Sequence, residues 1–147
     1  MTELETQQRQ AVIAEALTWI GTPYHHEAEV KGEGVDCAKL LRAVYSSTGM
    51  IPDIKIPHYP PDWHMHRSDE KYLAYILDYT LPAQPPYLPG DVVTYRFGRC
   101  VSHAAIVIDW PKIIHSFREA GCVVVDSAAQ PYLLKRQCEV YRHRDWE

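Results

Sequence analysis

The chain has 147 residues, 46% hydrophobic and 23% charged, the balance of an ordinary globular domain with one core. A formal charge of −4, with Lys and Arg scattered rather than clustered, argues against nucleic acid or an anionic membrane as a partner. No apolar stretch approaches the roughly 20 residues of a membrane span. The polar start Met1-Thr2-Glu3-Leu4-Glu5 lacks the basic and apolar parts of a secretory leader, so synthesis in a cytoplasm is expected.

In chain order, Gln7 to Ile20 places Val12, Ala16, Trp19 and Ile20 on one stripe at helical spacing, and Gly21 and Pro23 end that helix. A loop over Tyr24–Val35 carries Gly32 and Gly34, both suited to sharp turns. A second apolar run from Cys37 to Tyr45 predicts a helix closing near Gly49, with Asp36 at its N-cap. Residues 51–67, with Pro52, Pro57, Pro60 and Pro61, predict a long irregular connection. Glu70–Tyr79 is a short helical candidate, and Pro82–Pro89 is a proline-rich crossing that stops at Gly90-Asp91. The periodicity then changes to strands: Val92–Phe97, Ser102–Ile108, Ile113–Phe117, Val123–Val125 and Glu139–Arg142. Helices followed by an antiparallel meander give an α+β arrangement, and a single domain over residues 1–147 is expected.

The four cysteines are Cys37, Cys100, Cys122 and Cys138. None forms a CxxC pair, which argues against a zinc knuckle, and a disulfide framework does not suit a chain of this size without an export signal. Cys100, Cys122 and Cys138 lie in or beside predicted strands and read as structural. Cys37 is different. If Asp36 caps the second helix, Cys37 stands in its first turn, where unpaired N–H groups and the helix dipole favour a thiolate. The competing reading is a small buried hydrophobe.

A cysteine nucleophile usually works beside a histidine. His103 heads the apolar strand His103-Ala104-Ala105-Ile106-Val107-Ile108, and His115 follows inside the next strand. A turn near Asp109-Trp110-Pro111 folds the two into a hairpin. An odd number of loop residues would put both imidazoles on one face, nearly opposite each other. His115 could then hold His103 in one tautomer, the part that Asp or Asn plays in other triads. Either histidine alone reads equally as a half-buried strand residue. His25, His26, His58, His64 and His66, with Glu27, Asp62 or Asp69, match no closed zinc set, so no metal is expected. Asp91 reads as turn chemistry.

Five fragments occur in order: Gly21-Thr22-Pro23-Tyr24, Asp36-Cys37-Ala38-Lys39-Leu40, Pro89-Gly90-Asp91-Val92-Val93, His103-Ala104-Ala105-Ile106 and Ile113-Ile114-His115. Together they resemble the successive signatures of the NlpC-type cell-wall peptidases, a papain-like family, over roughly residues 9–118. The spacing after Tyr24-His25-His26, with Pro60-Pro61-Asp62-Trp63 downstream, is similar to its short phage-tail branch. The resemblance implies N-terminal helices packed on a twisted antiparallel sheet. It also implies cleavage of murein stem peptides between D-γ-glutamyl and a diamino acid. Cys37 would be the nucleophile, His103 the base and His115 the third polar residue, with Tyr24 and Asp36 on the substrate and oxyanion side. No cofactor is implied. The partners implied are the murein peptide and phage tail proteins, with delivery in a virion or on release to the wall.

Two positions depart from the family pattern. The usual Asp-Cys-Ser-Gly is Asp36-Cys37-Ala38-Lys39, which removes a hydroxyl and adds bulk and charge beside the nucleophile. Two other readings therefore stay open: a catalytically idle structural component of a tail, and a papain-like amidase or acyltransferase acting on another amide.

Overall fold

The computed structural model of the protein describes residues 1–55, 74–75 and 78–147. Most of the irregular connection expected over 51–67 lies outside these residues, as do His58, Asp62, Trp63, His64, His66 and Asp69. Of the helix expected over Glu70–Tyr79, Ala74 and Tyr75 are helical. No helix among the described residues is long and apolar enough to cross a membrane.

Helix α1 spans Glu3–Leu17 and starts earlier than its apolar stripe suggests. Thr2 caps it: the side-chain oxygen accepts the Glu5 N–H at 3.0 Å, and Glu3 and Glu5 favour the positive end of the helix. Val12 and Ala16 are buried on its inner face, whereas Ile20, expected on that stripe, lies beyond the helix end and is exposed. A short hairpin of two-residue strands follows, β1 (Glu29–Val30) with β2 (Gly34–Val35), inside the segment read as loop. Gly34 is required there because a side chain would come within 2.7 Å of the His25 Cβ. Helix α2 spans Cys37–Ser47 and buries Leu40, Leu41, Val44 and Tyr45.

Strands β3 (Thr80–Pro82), β4 (Val92–Phe97), β5 (Cys100–Asp109), β6 (Lys112–Phe117), β7 (Cys122–Ser127) and β8 (Gln137–His143) form one antiparallel sheet. Its order is β3-β8-β4-β5-β6-β7. The meander expected from sequence holds for β4 to β7, and β8 returns to pair with β4. Strand β3 was not expected. It is a short edge strand with an exposed Leu81 and a terminal proline, features that hide an edge strand in a sequence. A single helical turn, α3 (Pro131–Leu134), precedes β8.

Alternation along the strands splits the core in two. One face of the sheet presents Val92, Ala104, Ile106, Ile114 and Val123 to Val12, Leu40, Leu41 and Val44 of the helices. The other presents Val93, Tyr95, Ala105, Val107, Ile113, Phe117 and Val140 to Leu133 of α3. Each large aliphatic side chain buried in this way stabilises the fold by about 1.5–3 kcal/mol.

A buried ionic cluster ties the elements together. Asp91, fully buried before β4, accepts Arg9 Nη1 at 3.1 Å and Arg142 Nη2 at 2.8 Å, and Arg9 also donates to Glu5 at 2.9 Å. The Leu88 N–H bonds to the same carboxylate at 2.9 Å, the turn chemistry expected of Asp91. Helix α1, the β4 entry and β8 thus meet on one residue.

Candidate active site

Asp36 sets the position of Cys37. It caps α2 by accepting the Lys39 N–H at 2.9 Å on one carboxylate oxygen, while the other takes the Glu27 N–H at 2.7 Å. The loop and the helix start are locked by one buried side chain. The segment just before is pinned to the sheet: Ser116 Oγ, fully buried on β6, donates to the Val35 carbonyl at 2.7 Å. Ala38, the first departure from the family pattern, is buried in the core.

The β5–β6 ladder pairs Ile106 with Ile114 and Val107 with Ile113. Beside the head of β5 stands Cys37: its Sγ lies 3.6 Å from the Ser102 carbonyl oxygen, and the Ala104 N–H also interacts with the sulfur. The thiol thus abuts the peptide units on both sides of His103. His103 shares a strand face with Ala105 and Val107, opposite the face that packs on α1 and α2. Helix α2 therefore brings its first residue against the β5 backbone at His103.

His103 and His115 meet as expected: Nε2 of the first lies 2.8 Å from Nδ1 of the second. The reason differs from the one read in the sequence. Asp109 pairs with Lys112, so the hairpin loop is Trp110-Pro111, an even number of residues. That register alone would send the two histidines to opposite faces. A bulge between Val107 and Asp109 inserts Ile108 as an unmatched residue on β5 and restores the shared face. The rings are diagonal rather than opposite.

The chain of contacts continues onto a residue that was not singled out in the sequence. His115 Nε2 lies 3.1 Å from Asp126 Oδ2 on β7, and Gln130 Nε2 donates to both oxygens of that carboxylate at 3.0 and 3.1 Å. The protons follow from the acceptors. An ionised Asp126 can only accept, so His115 carries its proton on Nε2. Its Nδ1 must then accept from His103 Nε2–H, and the Nδ1 of His103 is left unprotonated. The relay crosses β5, β6 and β7 on one face, and aromatic rings enclose it. Phe117 stacks on His115 at 4.6 Å, and Phe97 meets His103 edge-on at 5.8 Å.

Electrostatics keep the resting site neutral. Burial pushes the Cys37 thiol up to about 12, and the Asp36 carboxylate adds to the effect. Desolvation and the neighbouring carboxylate thus oppose the thiolate that the helix dipole and N–H groups favour by position. Burial, reinforced by His115, holds His103 well below the usual histidine range. Burial also lowers His115, with Asp126 opposing. The half-buried Tyr24 lies within the influence of Cys37 and Asp36, and burial first, then those two groups, raises its phenol. It remains a neutral hydrogen-bond donor. Of the other cysteines, Cys100 is buried, and Cys122 and Cys138 are partly buried, all reduced and in strands.

The family model described as NlpC/P60 matches residues 21–142, most of the chain and all of the groups above. The chain belongs to the NlpC/P60 family. Among solved structures, a lipoprotein-like NLP/P60 family protein from Staphylococcus aureus Mu50 is 20% identical with a TM-score of 0.68 over 97% of this chain. The peptidoglycan hydrolase RipB of Mycobacterium tuberculosis is 17% identical, TM-score 0.65, over 97% of this chain and 68% of its own. RipD of the same organism is described as a non-catalytic NlpC/p60 protein adapted to peptidoglycan binding. It is 14% identical, TM-score 0.59, over 94% of this chain and 98% of its own. At these identities the likeness establishes the papain-like α+β fold of this NlpC/P60 chain. The chain spans 43% of the length of the S. aureus protein. No curated protein sequence matches it.

Proposed function

We propose that the protein is a cysteine peptidase that hydrolyses murein stem peptides, at the bond between D-γ-glutamyl and a diamino acid. Cys37 is the nucleophile, His103 the base and His115, held by Asp126, the residue that orients it. The observation that carries this reading is the sulfur lodged against the peptide units flanking His103, whose other ring nitrogen is committed to His115.

Because the resting pair is neutral, proton transfer accompanies attack. His103 Nδ1 takes the thiol proton as Sγ bonds to the carbonyl carbon, and the oxyanion faces the N–H groups at the start of α2 and the Tyr24 hydroxyl. Collapse expels the amine, which leaves with the proton held by His103. Water, deprotonated by the same imidazole, then clears the thioester. Asp36 acts by fixing the helix start. No step calls for a metal or organic cofactor. In this reading residues 1–147 work as one domain, and the protein reaches the wall in a phage tail or on release from the cell. The tail association rests on the spacing around Tyr24, since Pro60–Trp63 fall outside the described residues.

The test is product formation on a defined stem peptide, with Cys37→Ala as control. Wild-type cleavage that vanishes in the variant is the expected result, and cleavage surviving in the variant would overturn it. A second reading, a murein-binding module without turnover, is favoured by one observation: the same burial that positions Cys37 keeps its thiol protonated. It predicts peptide binding with no product from the wild type.

A further inference from the structure

The chain carries more acidic than basic side chains, 19 against 15, yet one cleft is lined on the opposite principle. Between the β4–β5 turn and the start of β8 lies a space of about 530 Å³, bordered by Arg96, Gly98, Lys135, Arg136, Gln137 and Cys138. Every charged residue on that border is a cation. The volume falls within the roughly 300–1,000 Å³ of small-ligand sites.

Three features make it more than a basic patch. Arg136 is preset: its guanidinium donates to the Tyr132 carbonyl at 3.0 Å and stacks over Tyr132 at 4.3 Å and Phe97 at 5.1 Å. Among the described residues, neither Lys135 nor Arg136 is paired with a carboxylate. Gln137 Oε1 is buried without a partner among the described residues, an acceptor suited to an incoming N–H. Phe97 links the cleft to the imidazole relay: its ring lies under Arg136 and meets His103 at 5.8 Å. One aromatic ring therefore separates the guanidinium from the base. That is a span of two or three residues of extended peptide, at about 3.3 Å each.

We propose that this cleft is a substrate subsite that binds a carboxylate of the peptide, with Arg136 and Lys135 as its charged partners and Gln137 receiving an adjoining amide N–H. The proposal rests on the peptidase reading for the identity of the ligand. It is tested separately from that reading by measuring binding in the Cys37→Ala protein, where no turnover occurs.

Calorimetric titration would compare a stem tetrapeptide with free carboxylates and the same peptide with those groups converted to carboxamides. The amide form should bind about tenfold more weakly, the scale of one lost charge-assisted hydrogen bond. Lys135→Glu, at an exposed position, should weaken the acid form by a similar factor and leave the amide form unchanged. Equal affinity for the two peptides, or no binding of either, overturns the subsite. If the wild type cleaves both peptides with one KM, the peptidase stands and the subsite falls. If the acid form binds preferentially but is never cleaved, the subsite stands and the peptidase falls.

Discussion

Two buried polar networks hold this molecule, and they are built differently. At the entry to β4, Asp91 is a saturated anion: two arginines and a backbone N–H converge on one carboxylate with no exposure to water. In the middle of the sheet, the imidazole relay is neutral and directional, each ring passing one proton position to the next. The first network stabilises by opposite charge. The second costs desolvation without charge pairing between the rings, and what it secures is an unprotonated nitrogen at a fixed place. The contrast separates a joint from the proposed reaction centre.

The largest effect should come from breaking the joint. Asp91→Ala removes the buried carboxylate that Arg9 and Arg142 share, and chemical denaturation should show a loss of about 3–5 kcal/mol. Retention of stability would mean that Glu5 alone satisfies Arg9. Breaking the relay should spare stability and strike turnover. His115→Ala should lower kcat by about 10²–10⁴ with little change in KM, the range for general acid–base catalysis. Asp126→Asn should cost less, about tenfold to a hundredfold, since it loses one hydrogen bond to a charged group and frees the His115 tautomer. An unchanged kcat in Asp126→Asn would show that Phe117 stacking orients His115 unaided.

The smallest effects concern pH. With the folded thiol raised to about 12, iodoacetamide should label Cys37 at pH 7 more slowly than a free cysteine, whose pKa is about 8.5. Labelling should accelerate as pH climbs toward 12, and rapid labelling near pH 6 would contradict the neutral pair. His103 and His115 have depressed folded pKa values. Their contribution to stability is therefore present above pH 6.5 and lost as acid forces protons onto buried rings. Thermal melts should decline on acidification below that point, less steeply in His103→Gln.

The parts of the site that were legible in the sequence have local signals. Cys37 follows a capping aspartate, and His103 heads an apolar strand; neighbours along the chain suffice to place both. Asp126 has no such signal. It ends a run of three valines and acquires meaning only when β7 pairs with β6, with Ile113 facing Asp126, one same-face step from His115. Ser116 was missed for the same reason, since its bond to Val35 spans 81 positions. In the fold, the long helices and central strands followed from periodicity. The pieces too short to show a period, β1 to β3 and α3, did not. The burial that opposes a thiolate at Cys37 was not legible either, because desolvation is a property of the packed whole.

The unmatched Ile108 carries a consequence for how this hairpin can vary. The active face depends on whether the count of residues between His103 and His115 is odd or even, more than on which residues they are. Insertions of two can lengthen the turn and leave the imidazoles together, whereas gaining or losing one should separate them even though every side chain named above is kept.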